Sequence, residues 1–198
     1  MVHDFSRYDV FVVSADQQAR PLIAALLRAG GFEKILVCAD GKDALEYLEH
    51  KHADIMIVDW ESGSIGGLEL VRRLRNETRS PDPSVQIIMI TAFTERQNIE
   101  AARDAGVSEL LAKPVSNEAL FKRIVSVVAN PRPFIRVGDY FGPDRRRKIS
   151  DFLGDERRGE APEIVETSSI EERKTASRQV METIAGQQRA ERNKSQSS

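Results

Sequence analysis

Asp59, Thr91 and Lys113 are the residues whose types and placement suggest chemistry. Asp59 ends the apolar run DIMIVD (54–59), Thr91 follows VQIIMI (85–90), and Lys113 ends SELLAK (108–113). Lysine is rarely buried without a partner. Lys113 follows an apolar run and is followed at once by Pro114, so it requires a negative group nearby. Asp59 is the expected partner, with Thr91 between the two. A carboxylate, an ammonium and a hydroxyl on one rim suit a covalent phosphoryl site. The carboxylate attacks phosphorus and forms an aspartyl-phosphate. The lysine counters the added charge, and the hydroxyl donates to a phosphoryl oxygen. A structural Asp–Lys pair is the competing reading, and it weakens when a third suitable residue joins the set. Pro114 is expected to fix the turn that aims the lysine, and its isomer is left open.

Elements must bring these residues together. Short β-branched runs recur at 8–14, 34–38, 54–59, 85–90 and 108–113. Helical patterns lie between and after them. Leu22, Ile23, Leu26 and Leu27 share one face, and Ala44, Leu45 and Leu48 share a second. Leu68, Val71, Leu74 and Arg75 mark a third, apolar and then basic at its end. Ile99, Ala102 and Ala105, closed by Gly106, mark a fourth, and Leu120, Ile124, Val127 and Val128 a fifth. Five strand–helix alternations with near-continuous apolar strands predict an open α/β fold, a doubly wound parallel sheet covered on both faces. In such sheets ligands bind at the carboxyl edge of the strands. Ser14, Ala15, Asp16, Asp59, Thr91 and Lys113 all fall there.

The chain has 198 residues with net charge −2, so overall charge argues neither for nor against nucleic acid. A single cysteine, Cys38, precludes an internal disulfide and suits a reducing compartment. No signal-peptide pattern or membrane-length apolar run is visible, and a cytoplasmic protein is expected. His3, His50 and His52 lack metal-ligand spacing, and the last two are expected to end the second helix. No Ser-His-Asp arrangement, P-loop or dinucleotide fingerprint stands out, and no enzymatic activity of its own is expected. Residues 1–130 carry 15 Lys and Arg against 19 Asp and Glu, whereas 131–198 carry 14 against 12. That shift, with Pro131 and Pro133, divides the chain into a folded domain over 1–130, a basic and aromatic extension over 131–160, and a tail over 161–198. The tail is expected to be disordered, or helical only on a partner.

VDWESGSIGGLELVRRLR around Asp59, MITAFTERQNIEAARDAG around Thr91, LLAKPV around Lys113 and ADGKDALEYL after the second strand resemble the receiver domain of two-component response regulators. The resemblance covers about residues 7–129 and implies a flavodoxin-like five-stranded sheet in the order 2-1-3-4-5. It implies that a histidine kinase or phosphotransfer protein phosphorylates Asp59, with Thr91 and Lys113 reading the phosphoryl group. It also implies a downstream protein target, with a second copy of the chain as a further candidate partner.

Three departures accompany it. Receivers usually carry an acidic pair after the first strand that holds Mg²⁺, and here Ser14 and Ala15 stand in its place. The remaining metal candidates are Asp59, the backbone carbonyl of Glu61 and Asp16, giving Mg²⁺ of reduced affinity. Asp16 is otherwise the cap of the first helix. The position three residues before the lysine, often an aromatic switch, is Leu110, which is expected to stay buried. The loop ESGSIGG after Asp59 lacks the usual proline, and its glycines are expected to leave it mobile. Two readings follow: a phosphorylated relay, or a pseudo-receiver adaptor that works without phosphorylation.

The extension interleaves Phe134, Tyr140 and Phe141 with Arg136, Arg145, Arg146 and Arg147, in a mostly irregular segment. No helix-turn-helix or winged-helix pattern is visible, so no DNA-binding output domain is expected. Arg145, Arg146 and Arg147 are candidate phosphate or nucleotide ligands. The plainer expectation is a basic linker whose aromatics pack on the face of the fourth helix, fifth strand and fifth helix.

Overall fold

The computed structural model describes residues 4–145 apart from 77, 79 and 81, together with 163–165. All lie within one compact unit, Met1–Thr167. Arg146, Arg147 and the tail beyond Val165 fall outside the described residues.

Alternation of strand and helix runs as the periodicity predicts. The order is β1 (Asp9–Val13), α1 (Ala19–Ala29), β2 (Lys34–Cys38), α2 (Gly41–Leu48), β3 (Ile55–Asp59), α3 (Gly67–Leu74), β4 (Gln86–Thr91), α4 (Arg96–Asp104), β5 (Glu109–Ala112) and α5 (Asn117–Ala129). The five strands form one parallel sheet in the order β2-β1-β3-β4-β5. Every residue of β3 and β4 is buried, which explains why their sequences are apolar without alternation. Phe11 and Val13 join Met56, Val58, Ile87 and Met89 in one core cluster with residues of α2, α3 and α4. Val10 and Val12 are equally buried, and strand periodicity turns them to the opposite face, where α1 lies against β1 and β2, and α5 against β4 and β5. Strand order reverses between β1 and β3. The crevice of such a sheet therefore opens above the ends of those two strands. Among the described residues no helix is long and apolar enough to cross a membrane.

Two helix faces differ in detail from their pattern. Ile23 and Leu27 are buried in α1, but Leu22 is exposed. In α4 only Ala102 is buried, and Ile99 faces solvent.

The described part of the extension, 131–145, is more regular than expected. β6 (Phe134–Val137) and β7 (Tyr140–Pro143) form an antiparallel hairpin, and β8 (Glu163–Val165) pairs with the other edge of β6. β8 thus lies inside the stretch assigned to the tail. Phe134, Ile135 and Phe141 are buried, as their apolarity requires. Their docking site is the start of β5 beside the carboxyl end of α4, at one end of the face of α4, β5 and α5 and not along its length. Arg132 donates to the carbonyls of Val107 and Ser108, just before β5 begins. The Arg75 guanidinium lies over the Phe134 ring at 5.0 Å and donates to the Gly106 carbonyl at 2.9 Å. Gly106 has φ +93°, and a Cβ there would meet Arg75 Cγ at 3.0 Å and the Phe141 carbonyl at 3.2 Å. The hairpin therefore sits at the amino edge of the sheet. The reason is connectivity. α5 runs antiparallel to β5 and delivers the chain to that edge, and only residues 130–133 separate α5 from β6.

The basic end of the third helix is divided in its exposure. Arg72 and Arg73 are exposed, but Arg75 is buried and donates to Pro83 and Val85 carbonyls as well. His52 does not serve as a helix-end cation. It lies between Asp54 at 3.0 Å and Asp82 at 3.7 Å.

Candidate functional site

Asp59 closes β3 and is 2% exposed. Lys113 follows β5, and its ammonium donates to Asp59 Oδ2 at 2.8 Å. Its backbone N–H donates to the Thr91 carbonyl at 2.8 Å, which anchors the end of β5 beside β4. The Lys113–Pro114 peptide bond is cis. The partner expected for Lys113 is the one found.

Thr91 ends β4, the strand between those that carry Asp59 and Lys113, but its hydroxyl is turned away from the pair. The residue is buried beside the pair by sheet register, and its hydroxyl accepts from the Phe93 N–H at 2.8 Å. A local turn, natural for threonine before a loop, holds the hydroxyl. The other neighbour of Asp59 is Ser14. It is fully buried, and its hydroxyl donates to the same Oδ2 at 2.9 Å while accepting from the Asp16 N–H at 3.2 Å. One carboxylate oxygen thus carries both a cation and a hydroxyl donor. The Glu61 N–H approaches the other oxygen at 3.4 Å.

The corner where a cation would sit is filled by protein contacts. Asp16 Oδ1 accepts from the N–H groups of Gln18 at 2.8 Å and Ala19 at 3.1 Å. This is a cap on the first turn leading into α1, and these amides hold its carboxyl below the usual carboxylate range. The Glu61 carbonyl accepts from the Ala15 N–H at 3.1 Å. Arg20 donates to the Ser14 carbonyl at 2.6 Å and the Ala15 carbonyl at 3.3 Å, placing a guanidinium in that corner. Mg²⁺ takes oxygen ligands in near-octahedral geometry and relies on carboxylates. Here the Asp16 carboxylate is taken up by the amides of Gln18 and Ala19, and the Arg20 guanidinium stands beside the Ser14 and Ala15 carbonyls. Among the described residues no group of three or more His, Cys, Asp or Glu is placed to hold a metal. The donor set does not fit Mg²⁺.

The loop after Asp59 is held rather than loose. Asp40, the N-cap of α2, accepts from the N–H of Lys42 at 2.8 Å and of Ser64 at 2.7 Å, and from the Ser64 hydroxyl at 2.8 Å. Gly41 N–H donates to the Ser62 carbonyl at 2.9 Å. Gly63 has φ +80°, and a Cβ there would lie 2.5 Å from Asp40 Oδ2. Its glycine therefore permits a close approach instead of conferring motion. Trp60 packs on the core and meets the half-exposed Phe93 ring edge-on at 5.7 Å, forming one wall of the crevice mouth. Leu110 is half-buried against the same core cluster.

Ser14 was legible only as a missing acid, and Arg20 and Asp40 were not read from sequence. Arg20 four residues after Asp16, and Asp40 beside Gly41, are the signals that were available. Of the candidate arginines, Arg145 stacks on Tyr140 at 3.9 Å and pairs with Asp104 at 3.3 Å.

Residues 10–125 match the response regulator receiver domain family. The chain is 29% identical over 118 residues to the chemotaxis protein CheY of Pseudomonas aeruginosa, covering 60% of this chain and 94% of that protein. It is 26% identical over 119 residues to the autoinducer sensor kinase/phosphatase CqsS of Vibrio cholerae, covering 60% of this chain but only 17% of that protein. Among solved structures it resembles the receiver domain of the sensor histidine kinase PA1611 of Pseudomonas aeruginosa. That match has TM-score 0.53 and 26% identity over 60% of this chain and 94% of the other, and in that protein a magnesium ion is coordinated in the active-site cleft.

Proposed function

Because this chain belongs to the response regulator receiver family, we propose that it is a two-component signalling adaptor acting through protein contacts, without Mg²⁺-dependent phosphorylation of Asp59. Family members work with histidine kinases, so a kinase or phosphotransfer protein is its upstream partner and a protein its target. A cytoplasmic location and the lack of an enzymatic activity of its own belong to the same reading. The observation that carries it is the closed corner beside Asp59. Ser14 and Lys113 both hold Oδ2, Asp16 is taken up by the turn that leads into α1, and Arg20 occupies the carbonyls of Ser14 and Ala15. Ser14 donates a proton where an acidic residue would accept a cation. The pocket is thereby complete as a hydrogen-bonded unit.

A second reading keeps Asp59 as phosphoacceptor. The 2.8 Å contact with Lys113 favours it, since a lysine so placed neutralises added charge. A nucleotide role for the arginine-rich stretch has less support, because Arg145 is engaged within the chain.

The two readings separate in one experiment. The full chain is treated with acetyl phosphate or beryllofluoride, with and without Mg²⁺, and its backbone amides are followed near Asp59 and Lys113. Silence at high Mg²⁺ is expected. Mg²⁺-dependent shifts would transfer the case to the phosphoacceptor. A variant carrying Ser14→Asp and Ala15→Asp restores two carboxylates and is expected to gain the Mg²⁺-dependent response.

A further inference from the structure

The hairpin and the Asp59 crevice lie at opposite edges of the sheet, yet the same two elements join them. β5 is four residues long. At its start Ser108 and the preceding Val107 give their carbonyls to Arg132. Just after its end Lys113 gives its ammonium to Asp59. At about 3.3 Å per residue the strand is a short rigid rod between these contacts.

α4 makes the second connection. It starts after the Thr91–Phe93 turn, and its N-cap Glu95 makes no side-chain capping bond. Only Ala102 of its residues is buried, so it is held to the core mainly toward its carboxyl end. There the extension takes hold. Arg145 pairs with Asp104 at 3.3 Å. A Cβ on Gly142 would lie 3.1 Å from Gly106 Cα, so backbone meets backbone without space between. The carboxyl end of α4 and the turn after it thus touch the extension directly.

We propose that the C-terminal hairpin, with Arg145 at its exit, is the output element of this receiver, coupled to the Asp59 rim through β5 and α4. A change in the Lys113–Asp59 contact shifts β5 and α4. It is relayed to the Arg132 and Arg145 contacts, where the basic stretch RRRK (145–148) begins. The proposal rests on the receiver reading but not on the route by which the rim is perturbed. Inertness toward acetyl phosphate leaves it standing.

The test uses hydrogen–deuterium exchange of the full chain. Lys113→Ala perturbs the crevice, and Arg145→Gln perturbs the far end. Coupling is reciprocal. Lys113→Ala is therefore expected to change the protection of residues 134–143 several-fold, and Arg145→Gln that of residues 91–99. Amides of β1 report global stability, and the coupled changes are expected to exceed any shift seen there. Changes confined to the neighbourhood of each substitution, or a uniform change that includes β1, would overturn the proposal.

Discussion

At the residue scale the decisive feature is that a buried carboxylate is satisfied by two unlike donors. Lys113 supplies charge, and Ser14 supplies a hydroxyl donor. Replacing Ser14 by alanine leaves Asp59 Oδ2 with the lysine alone and the Asp16 N–H without its acceptor. A hydrogen bond to a charged group contributes about 1.5–3 kcal/mol, and Ser14→Ala is expected to lower stability by about that much in urea unfolding. Asp40 offers a pH test. Its carboxyl is held below the usual carboxylate range first by the Ser64 amide, then by the Lys42 amide and the Ser64 hydroxyl. A depressed folded value means that the contribution is present above the unfolded value, about 3.9. It is lost as pH falls through the folded value. Protection of the Ser64 amide, corrected for intrinsic exchange, is expected to hold above about pH 4 and to fall below it. Asp40→Asn should remove that step, and an unchanged profile in the variant would show that another group anchors the loop.

At the element scale the hairpin is part of the receiver's core rather than an appendage. Phe134 is 1% exposed, touches Phe141 at 5.5 Å between ring centres, and carries the Arg75 guanidinium on its face. Arg75 is in turn bonded to the carbonyls of Pro83, Val85 and Gly106, so it links the end of α3, the start of β4 and the turn before β5. Truncating Phe134 removes the ring on which this cation rests and leaves a cavity. Phe134→Ala is expected to cost about 3–5 kcal/mol, the usual range for a buried phenylalanine. Denaturant midpoints of the full chain measure it, and a loss near zero would mean that the hairpin is dispensable to the fold.

At the scale of the whole molecule the described residues belong to one compact unit, Met1–Thr167. Trp60, the sole tryptophan, reports the crevice, and far-UV circular dichroism reports all elements. The two are expected to trace one coincident unfolding transition. A separate early transition in the dichroism would assign the hairpin its own stability. Strand and helix order, the sheet class and the placing of Asp59, Thr91 and Lys113 at strand ends were legible in the sequence, because periodicity and residue type are local properties. The pairing of Lys113 with Asp59 was legible too, since an ammonium beyond an apolar run needs a counter-charge and few candidates existed. Other roles depend on contacts between distant segments. The turn of the Thr91 hydroxyl toward Phe93, the guanidinium of Arg20 over the Ser14 and Ala15 carbonyls, the grip of Asp40 on the loop after Asp59, and the seat of the hairpin on Arg75 and Gly106 are of this kind. Only the tertiary structure decided them. A side chain's partner is chosen by the three-dimensional neighbours competing for it, and the pattern along the chain carries no record of that competition.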